Sequence, residues 1–144
     1  MTRKDPLRNF RFRVEIDGIA VAGFSEVVIG PTTTEAIDYR EGTDPPHVRK
    51  LSGLTKFANI TLKRGLTDSL DLYNWYKQVA AGQLATSRKQ VVIVIADETG
   101  TDHARFVVSQ AWPVKYEPSA LNATGNEVII ETLELVNEGI ERVQ

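Results

Sequence analysis

The residues with the most reactive side chains in this 144-residue chain do not combine into a recognisable catalytic set. The two histidines, His47 and His103, fall in predicted loops, and neither has a second ligand three or four positions away. They read as solvated loop histidines rather than a metal pair. Ser25 lies in Gly-Phe-Ser-Glu, which lacks the second glycine of a nucleophile elbow. Asp97 and Glu98 are adjacent, so in an extended segment they point apart, and Asp97-Glu-Thr-Gly100 reads as a hairpin turn rather than an acid–base dyad. Gly65 follows a strand pattern and precedes a helix pattern, as phosphate-loop glycines do. No second glycine at the required spacing and no Lys-Ser/Thr pair accompany it. Arg11 and Arg13 alternate with Phe10 and Phe12, and Lys63-Arg64 is a second basic pair. Arginines beside aromatics can hold single-stranded nucleic acid. Strict alternation, however, sends the arginines and phenylalanines to opposite faces, which describes a core face with a solvated back. Trp75 and Tyr76 sit at helical spacing with Leu72 and Val79, the pattern of a core-packed face rather than a ligand platform. The sequence offers no catalytic residue, no cofactor-binding residue and no metal ligand set, and it is not read as an enzyme.

Composition narrows the remaining classes. The length fits one domain with a core of its own. Apolar residues make up 42% and charged residues 25%, an ordinary globular balance. A net charge of −2 argues against a protein built to clamp nucleic acid. There is no cysteine, hence no disulfide framework and no thiolate metal site. No apolar segment follows the polar start Met1-Thr-Arg-Lys-Asp-Pro6, so no signal peptide is expected, and the longest apolar run, Val91–Ala96, is far below the roughly 20 residues a membrane-spanning helix needs. No stable membrane insertion is expected.

Hydrophobic periodicity predicts mostly short strands around one helix. Residues 1–9 read as an N-terminal arm. Phe10–Ile16 alternates strictly, and Asp17-Gly18 predicts a tight turn returning through Ile19–Phe24. Phe24–Ile29 continues extended to the stop at Gly30-Pro31. Thr32–Glu41 alternates but is polar on both faces, which suits a strand lining a water-filled opening or a subunit boundary. Glu41–Gly53 reads as a long polar loop, broken by Gly42, Pro45, Pro46 and Gly53. The stretch Gly53–Val79 organises the rest. Its first half predicts one strand, with Leu54, Ala58, Ile60 and Leu62 on one side and Thr55, Phe57, Asn59, Thr61 and Lys63 on the other. Its second half predicts a helix over 67–82, capped by Thr67 or Asp68, with core face Leu72, Trp75, Tyr76 and Val79 and a stop at Gly82. Gln83–Lys89 reads as a linker, and Val91–Ile95 as a strand buried on both faces. Ala104–Ala111 alternates with Phe106, Val108 and Trp112 in phase, Trp112-Pro113 marks a bend or bulge, and Val114–Glu117 resumes the extended chain. A final strand is expected over Asn126–Asn137. There is no internal repeat.

The ordered set of these pieces resembles a known family. Leu7-Arg-Asn-Phe-Arg-Phe-Arg-Val-Glu-Ile-Asp-Gly18 is followed by Val21-Ala-Gly-Phe-Ser-Glu26, Ile37-Asp-Tyr-Arg-Glu-Gly42, Lys50-Leu-Ser-Gly-Leu54, Ile60-Thr-Leu-Lys-Arg-Gly65 and Leu72-Tyr-Asn-Trp75. A late Trp112-Pro-Val-Lys-Tyr116 leads to Leu121-Asn-Ala and Asn126-Glu-Val-Ile-Ile-Glu131. Over nearly its whole length the chain is similar to the tail tube proteins of contractile phage tails and of phage-derived contractile injection systems.

The resemblance implies a mainly β fold with one α-helix: two packed antiparallel sheets, a β-sandwich or barrel subunit that completes a large β-barrel in a six-membered ring. It implies one tail-tube domain over 1–144, with an N-terminal arm (1–9), an inter-ring loop (41–53) and an outer helix (67–82). Rings would stack into the inner tube of a contractile particle, assembled in a bacterial or archaeal cytoplasm and driven through a target envelope when the sheath contracts. The implied partners are further copies of the chain, the sheath protein, baseplate and tube-terminator proteins, and protein cargo or DNA in the channel. The inter-ring loop would comprise Arg40, Glu41, Gly42, Asp44, Pro45, Pro46, His47, Arg49 and Lys50. The channel would be faced by Asp38, Arg40, Thr55, Asn59, Thr61 and Lys63, with the strand of Thr55–Lys63 lying beside Thr32–Glu41. Other readings stand beside this one: a tube-initiator ring of the same family at the baseplate or the terminator end, a monomeric β-sandwich binding module using Trp75, Tyr76 and the 41–53 loop, and, as a distant third, a hydrolase.

Overall fold

The computed structural model describes residues 10–17, 23–40, 42, 48–119, 121 and 128–144. Among these, the elements in chain order are β1 (Arg11–Ile16), β2 (Glu26–Ile29), β3 (Thr32–Tyr39), β4 (Arg49–Phe57), β5 (Ile60–Gly65), α1 (Asp71–Ala80), α2 (Leu84–Ser87), β6 (Lys89–Ala96), β7 (Asp102–Pro118), β8 (Ile130–Val136) and β9 (Gly139–Arg142). The expected arm 1–9 lies outside the described residues, as does most of the expected return strand Ile19–Phe24. Among the described residues β1 pairs with β6, in register from Arg11 opposite Ala96 to Ile16 opposite Val91.

The strands run β1-β6-β7-β8-β5-β2, all antiparallel, with β9 beside β7. The long β7 belongs to two layers. Its first part pairs β6 and β9, and its last part pairs β8. Side chains of both layers meet in one core: Val14 and Ile16 of β1, Val91 and Ile93 of β6, Ile60 and Leu62 of β5, and Leu133 and Leu135 of β8. The alternating pattern of β5 and β8 is what a half-buried strand requires, and it leaves Thr61, Lys63, Thr132 and Glu134 on the opposite face, with Ile130 and Val136 at the two ends of β8.

β7 is one strand where a strand, a bend and a second strand were expected. Two bulges absorb the difference. Between Val108 and Ala111 the register against β6 shifts, and Gln110 takes φ 53°, a left-handed conformation that is costly for a residue with a Cβ. The shift breaks the phase, so Val108, Ala111 and Pro113 are buried and Trp112 leaves the phase of Phe106 and Val108. A second irregularity falls between Pro113 and Lys115, at the proline foreseen as a bulge.

The helix is shorter than the expected 67–82. Thr67 Oγ1 accepts from the Ser69 amide (3.2 Å) and Ser69 Oγ from the Asp71 amide (3.4 Å), so the serine and threonine shape a turn before the helix rather than cap it. Leu70 occupies the cap without a side-chain bond. Leu72 and Trp75 are buried in the core, with Tyr76 packed at its margin and Val79 half-buried. Trp75 Nε1 donates to the Ser87 carbonyl at 2.6 Å, tying α1 to α2, the single helical turn that replaces the expected linker. Gly82 takes φ +85° just past the helix end, where a left-handed residue ends the spiral.

Candidate functional site

β2 runs into β3, and β4 into β5, as one long antiparallel ribbon. Glu26–Ile29 oppose Lys63–Ile60, and after the joint Thr32 opposes Phe57, Thr33 opposes Lys56 and Thr34 opposes Thr55 in the same register. The strand expected over Thr55–Lys63 is therefore two strands: Thr55 lies on β4 beside β3, whereas Thr61 and Lys63 lie on β5 between β2 and β8. At the joint the two backbones approach so closely that a Cβ on Gly30 would stand 2.5 Å from the Ala58 Cβ and 2.7 Å from the Asn59 carbonyl oxygen. Only glycine fits there. The Ala58 amide donates to the Pro31 carbonyl (3.1 Å), and Asn137 Nδ2 to the Ala58 carbonyl (3.1 Å), fixing the joint to the end of β8.

Beyond the joint, β3 and β4 form a two-stranded arm that leaves the sandwich. Every residue of β3 is exposed, as is β4 apart from Gly53 and Phe57. β4 begins at Arg49, so the expected loop 41–53 is shorter: Arg49 opposes Tyr39 and Lys50 opposes Asp38 within the ladder. Gly53, expected to break regular structure, instead sits at a bulge in β4, where a Cβ would meet Ile37 Cδ1 at 2.9 Å. Arg40 and Gly42 are exposed and outside any strand, while Glu41, Asp44, Pro45, Pro46 and His47 lie outside the described residues.

The ribbon has two faces set by its register. One carries the core residues Ile29, Ile60 and Leu62 in the sandwich and continues onto the arm as Ile37 and Leu51, a cross-strand pair 45% and 47% exposed. The other is mainly polar, with Val28, Ala36 and Phe57 among its polar residues. On the arm it carries the Thr34–Thr55 hydroxyl pair (2.9 Å) and the Asp38–Lys50 ion pair. On the sandwich Glu26, Lys63, Thr132 and Glu117 line up across β2, β5, β8 and β7, and beside them stand Val28, Thr61, Glu134 and Lys115. Lys63 Nζ lies 3.5 Å from Glu26 and Lys115 Nζ 3.1 Å from Glu117, and Asn59 Nδ2 donates to Glu134 Oε1 at 3.1 Å. Of the residues expected to face a channel, Asp38, Thr55, Asn59, Thr61 and Lys63 thus occur on this one face of the ribbon. Sequence reading missed its other half, Glu117 on β7 and Thr132 and Glu134 on β8, although the polar members of both alternations were there to be read.

The residues with the most reactive side chains take structural positions. Asp97 accepts from the Thr99 amide (2.9 Å), Thr99 Oγ1 (2.7 Å) and the Thr101 amide (3.0 Å), holding the β6–β7 turn. Its second oxygen meets His103 Nε2 at 2.7 Å, and these bonds, the Thr99 hydroxyl first, hold its carboxyl well below the usual carboxylate range. Arg13 makes a two-bond fork with Asp102 (3.0 and 3.1 Å), which lowers the Asp102 carboxyl and raises the Arg13 guanidinium. Ser25 Oγ donates to the Lys63 carbonyl. Arg64, the second member of the basic pair, does not stand beside Lys63 on the solvated face. It is instead buried on the core face of β5, paired with Glu131 of β8 and lying 5.8 Å from the centre of the Phe24 ring. Tyr116 Oη donates to the other oxygen of Glu131 at 2.8 Å, and the Tyr73 and Tyr76 rings pack on Tyr116. Among the described residues no three His, Asp or Glu side chains gather as a metal site, and no helix is long and apolar enough to cross a membrane.

Comparison with known proteins agrees with this geometry. Residues 8–141 match the model of the T4-like virus tail tube protein gp19 family. Among solved structures, the chain is 25% identical to one in the tube-terminating cap of the anti-feeding prophage, with TM-score 0.82 over 99% of this chain and 93% of that one. It is 24% identical to one in the extended sheath–tube complex of the PVC extracellular contractile injection system, with TM-score 0.80 over 95% and 90%. With Hcp1 from Flavobacterium johnsoniae it shares the fold at 15% identity, with TM-score 0.58 over 92% and 94%. No curated protein sequence matches. With the family model spanning nearly every described element, the chain belongs to the T4-like tail tube protein family.

Proposed function

We propose that this tail tube protein is the repeating ring subunit of the inner tube, and that it closes its ring edge to edge through the ribbon and the last part of β7. The observation that carries the reading is the arm itself: a two-stranded ribbon that leaves its own sandwich with an apolar pair, Ile37 and Leu51, continuing its core face. Among the described residues, the layer made of β2, β5, β8 and the end of β7 has an open edge on either side, β2 with β3 at one and Val114–Pro118 at the other. Such unlike edges join head to tail, and a sheet with open edges is relieved by closing on itself. Six copies would bring about 24 strands, which at roughly 4.8 Å spacing give a circumference of about 115 Å before tilt, wide enough for a water-filled channel.

Burying the rest of Ile37 and Leu51 against a neighbour contributes about 1 kcal/mol each. New ladder hydrogen bonds add about 0.5–1.5 kcal/mol apiece. The loop beyond Tyr39, with Arg40 and residues 41–48, would reach the next ring. If each stacking contact is worth about 1 kcal/mol, six give about 6, over 10⁴-fold in equilibrium constant. The helix would face outward toward a sheath, with baseplate and terminator proteins at the tube ends, the settings in which the solved relatives were found.

The test uses Ile37→Asp and Leu51→Asp, each at an exposed arm position. Both should leave the subunit folded, with an unchanged melting temperature at low concentration, and should abolish rings seen by electron microscopy. Replacing residues 42–46 by a short Gly-Ser link should leave rings without tubes. Normal rings from both arm variants would refute the arm's role, and long tubes from the linker variant would refute the stacking role of the loop.

A further inference from the structure

The polar face of the ribbon and its sheet has an unusual charge pattern. Four carboxylates, Glu26, Asp38, Glu117 and Glu134, share it with three ammonium groups, Lys50, Lys63 and Lys115. Each lysine stands beside a carboxylate: Lys50 beside Asp38, Lys63 beside Glu26 at 3.5 Å, Lys115 beside Glu117 at 3.1 Å. The remaining carboxylate, Glu134, is held by the neutral Asn59 amide at 3.1 Å. Hydroxyls of Thr34, Thr55, Thr61 and Thr132 fill the spaces between. No stretch of this face presents a run of one sign.

We infer that this face is a non-adhesive channel lining whose charges cancel locally, so that it holds neither a polyanion nor a polycation passing over it. The inference rests on the ring reading above, which turns this face inward. A phosphate that approached Lys63 or Lys115 would have to displace a carboxylate already in place, and an incoming lysine would have to displace an ammonium at Glu26, Asp38 or Glu117; at Glu134, held by the Asn59 amide, it would meet Lys115 directly across the ladder. Either exchange swaps one ion pair for another in water and gains little. Binding of a nucleic acid strand draws its strength from unpaired cations that release counterions, and this face leaves no lysine without an adjacent carboxylate. Transit would then depend on the width of the cargo rather than its charge.

The test uses tubes assembled from the intact chain, verified by electron microscopy, then incubated at low salt with a fluorescent 20-nucleotide single-stranded DNA or a fluorescent oligolysine and separated by sedimentation. Neither probe should sediment with wild-type tubes above the level trapped by volume alone. The triple variant Glu26→Gln/Glu117→Gln/Glu134→Gln leaves one carboxylate against three ammonium groups on the face. Its tubes should retain the DNA at least tenfold above wild type, with retention lost as salt rises. Wild-type tubes that hold either probe would overturn the inference, as would triple-variant tubes that hold no DNA. Should the triple variant fail to assemble, mixed tubes with a minority of variant subunits give the same reading. If the wild-type chain forms no tube, the ring reading falls, and this inference falls with it.

Discussion

The buried Arg64–Glu131 pair gives the sharpest stability prediction. The Arg64 and Glu131 side chains are 1% and 2% exposed, so neither ion is hydrated, and each relies on the other. Changing Glu131 to Leu leaves the guanidinium uncompensated in the core and takes the acceptor from the Tyr116 hydroxyl as well. Removing one partner of a buried pair costs about 3–5 kcal/mol. In a chain of this length each kcal/mol moves the melting temperature by roughly 2–4 °C, so a fall of about 6–20 °C is expected. Arg64→Leu should cost about as much, since it strands the carboxylate. The double variant Arg64→Leu/Glu131→Leu should recover most of the loss, because a buried ion pair replaced by apolar side chains is often close to neutral. About 1 kcal/mol of the loss should persist for the Tyr116 hydroxyl and return with Tyr116→Phe. The assay is urea unfolding of the dilute subunit, with all four variants in one cycle. A Glu131→Leu loss below 1 kcal/mol, or a double variant as poor as the sum of the singles, would refute the reasoning.

Desolvation and the bond to Glu131 push Tyr116 up to about 12, so its neutral form is favoured in the folded state. The stability this supplies is complete below the unfolded value near 10 and is lost as pH rises from about 10 toward 12; Tyr116→Phe should lessen that decline in melting temperature. Gly30→Val should cost about 1–3 kcal/mol, because its side chain would press on Ala58 and the Asn59 backbone, and hydrogen exchange should rise first at the joint. Gln110→Gly should stabilise the subunit by about 0.5–1 kcal/mol by relieving the positive φ, read as a higher urea midpoint.

Much of this architecture was legible in the sequence because one-face burial leaves a period-2 signature. β1, β5 and β8 carry it plainly, β6 was legible only as an apolar run that proves half-buried at Val92 and Ile95, and Thr32–Tyr39, polar on both faces but for a few residues, announced a strand with no core side of its own. What escaped was whatever depends on a distant partner. Arg49–Gly53 looked like loop because two glycines and two prolines surround it, yet pairing with β3 makes Gly53 a bulge that gives Ile37 room. The single alternation through Thr55–Lys63 concealed a joint, since alternation alone carries no sign of a change of sheet; Gly30, distant in sequence, marks it. Arg64 looked like a surface cation because nothing local shows that Glu131 stands opposite it. The phase slip at Gln110 had no signal, since a glutamine gives no hint of positive φ. The charged sheet face was half foreseen: its β5 members came from one alternation, while its β7 and β8 members needed the ladder that joins them.

The most direct test of the ring account is negative-stain electron microscopy of the purified chain over a concentration series, paired with light scattering. The account predicts rings with a central hole that average with six-fold symmetry and, at higher concentration, stack into tubes of constant diameter. A chain that stays monomeric throughout, even with baseplate components added to nucleate it, would contradict it.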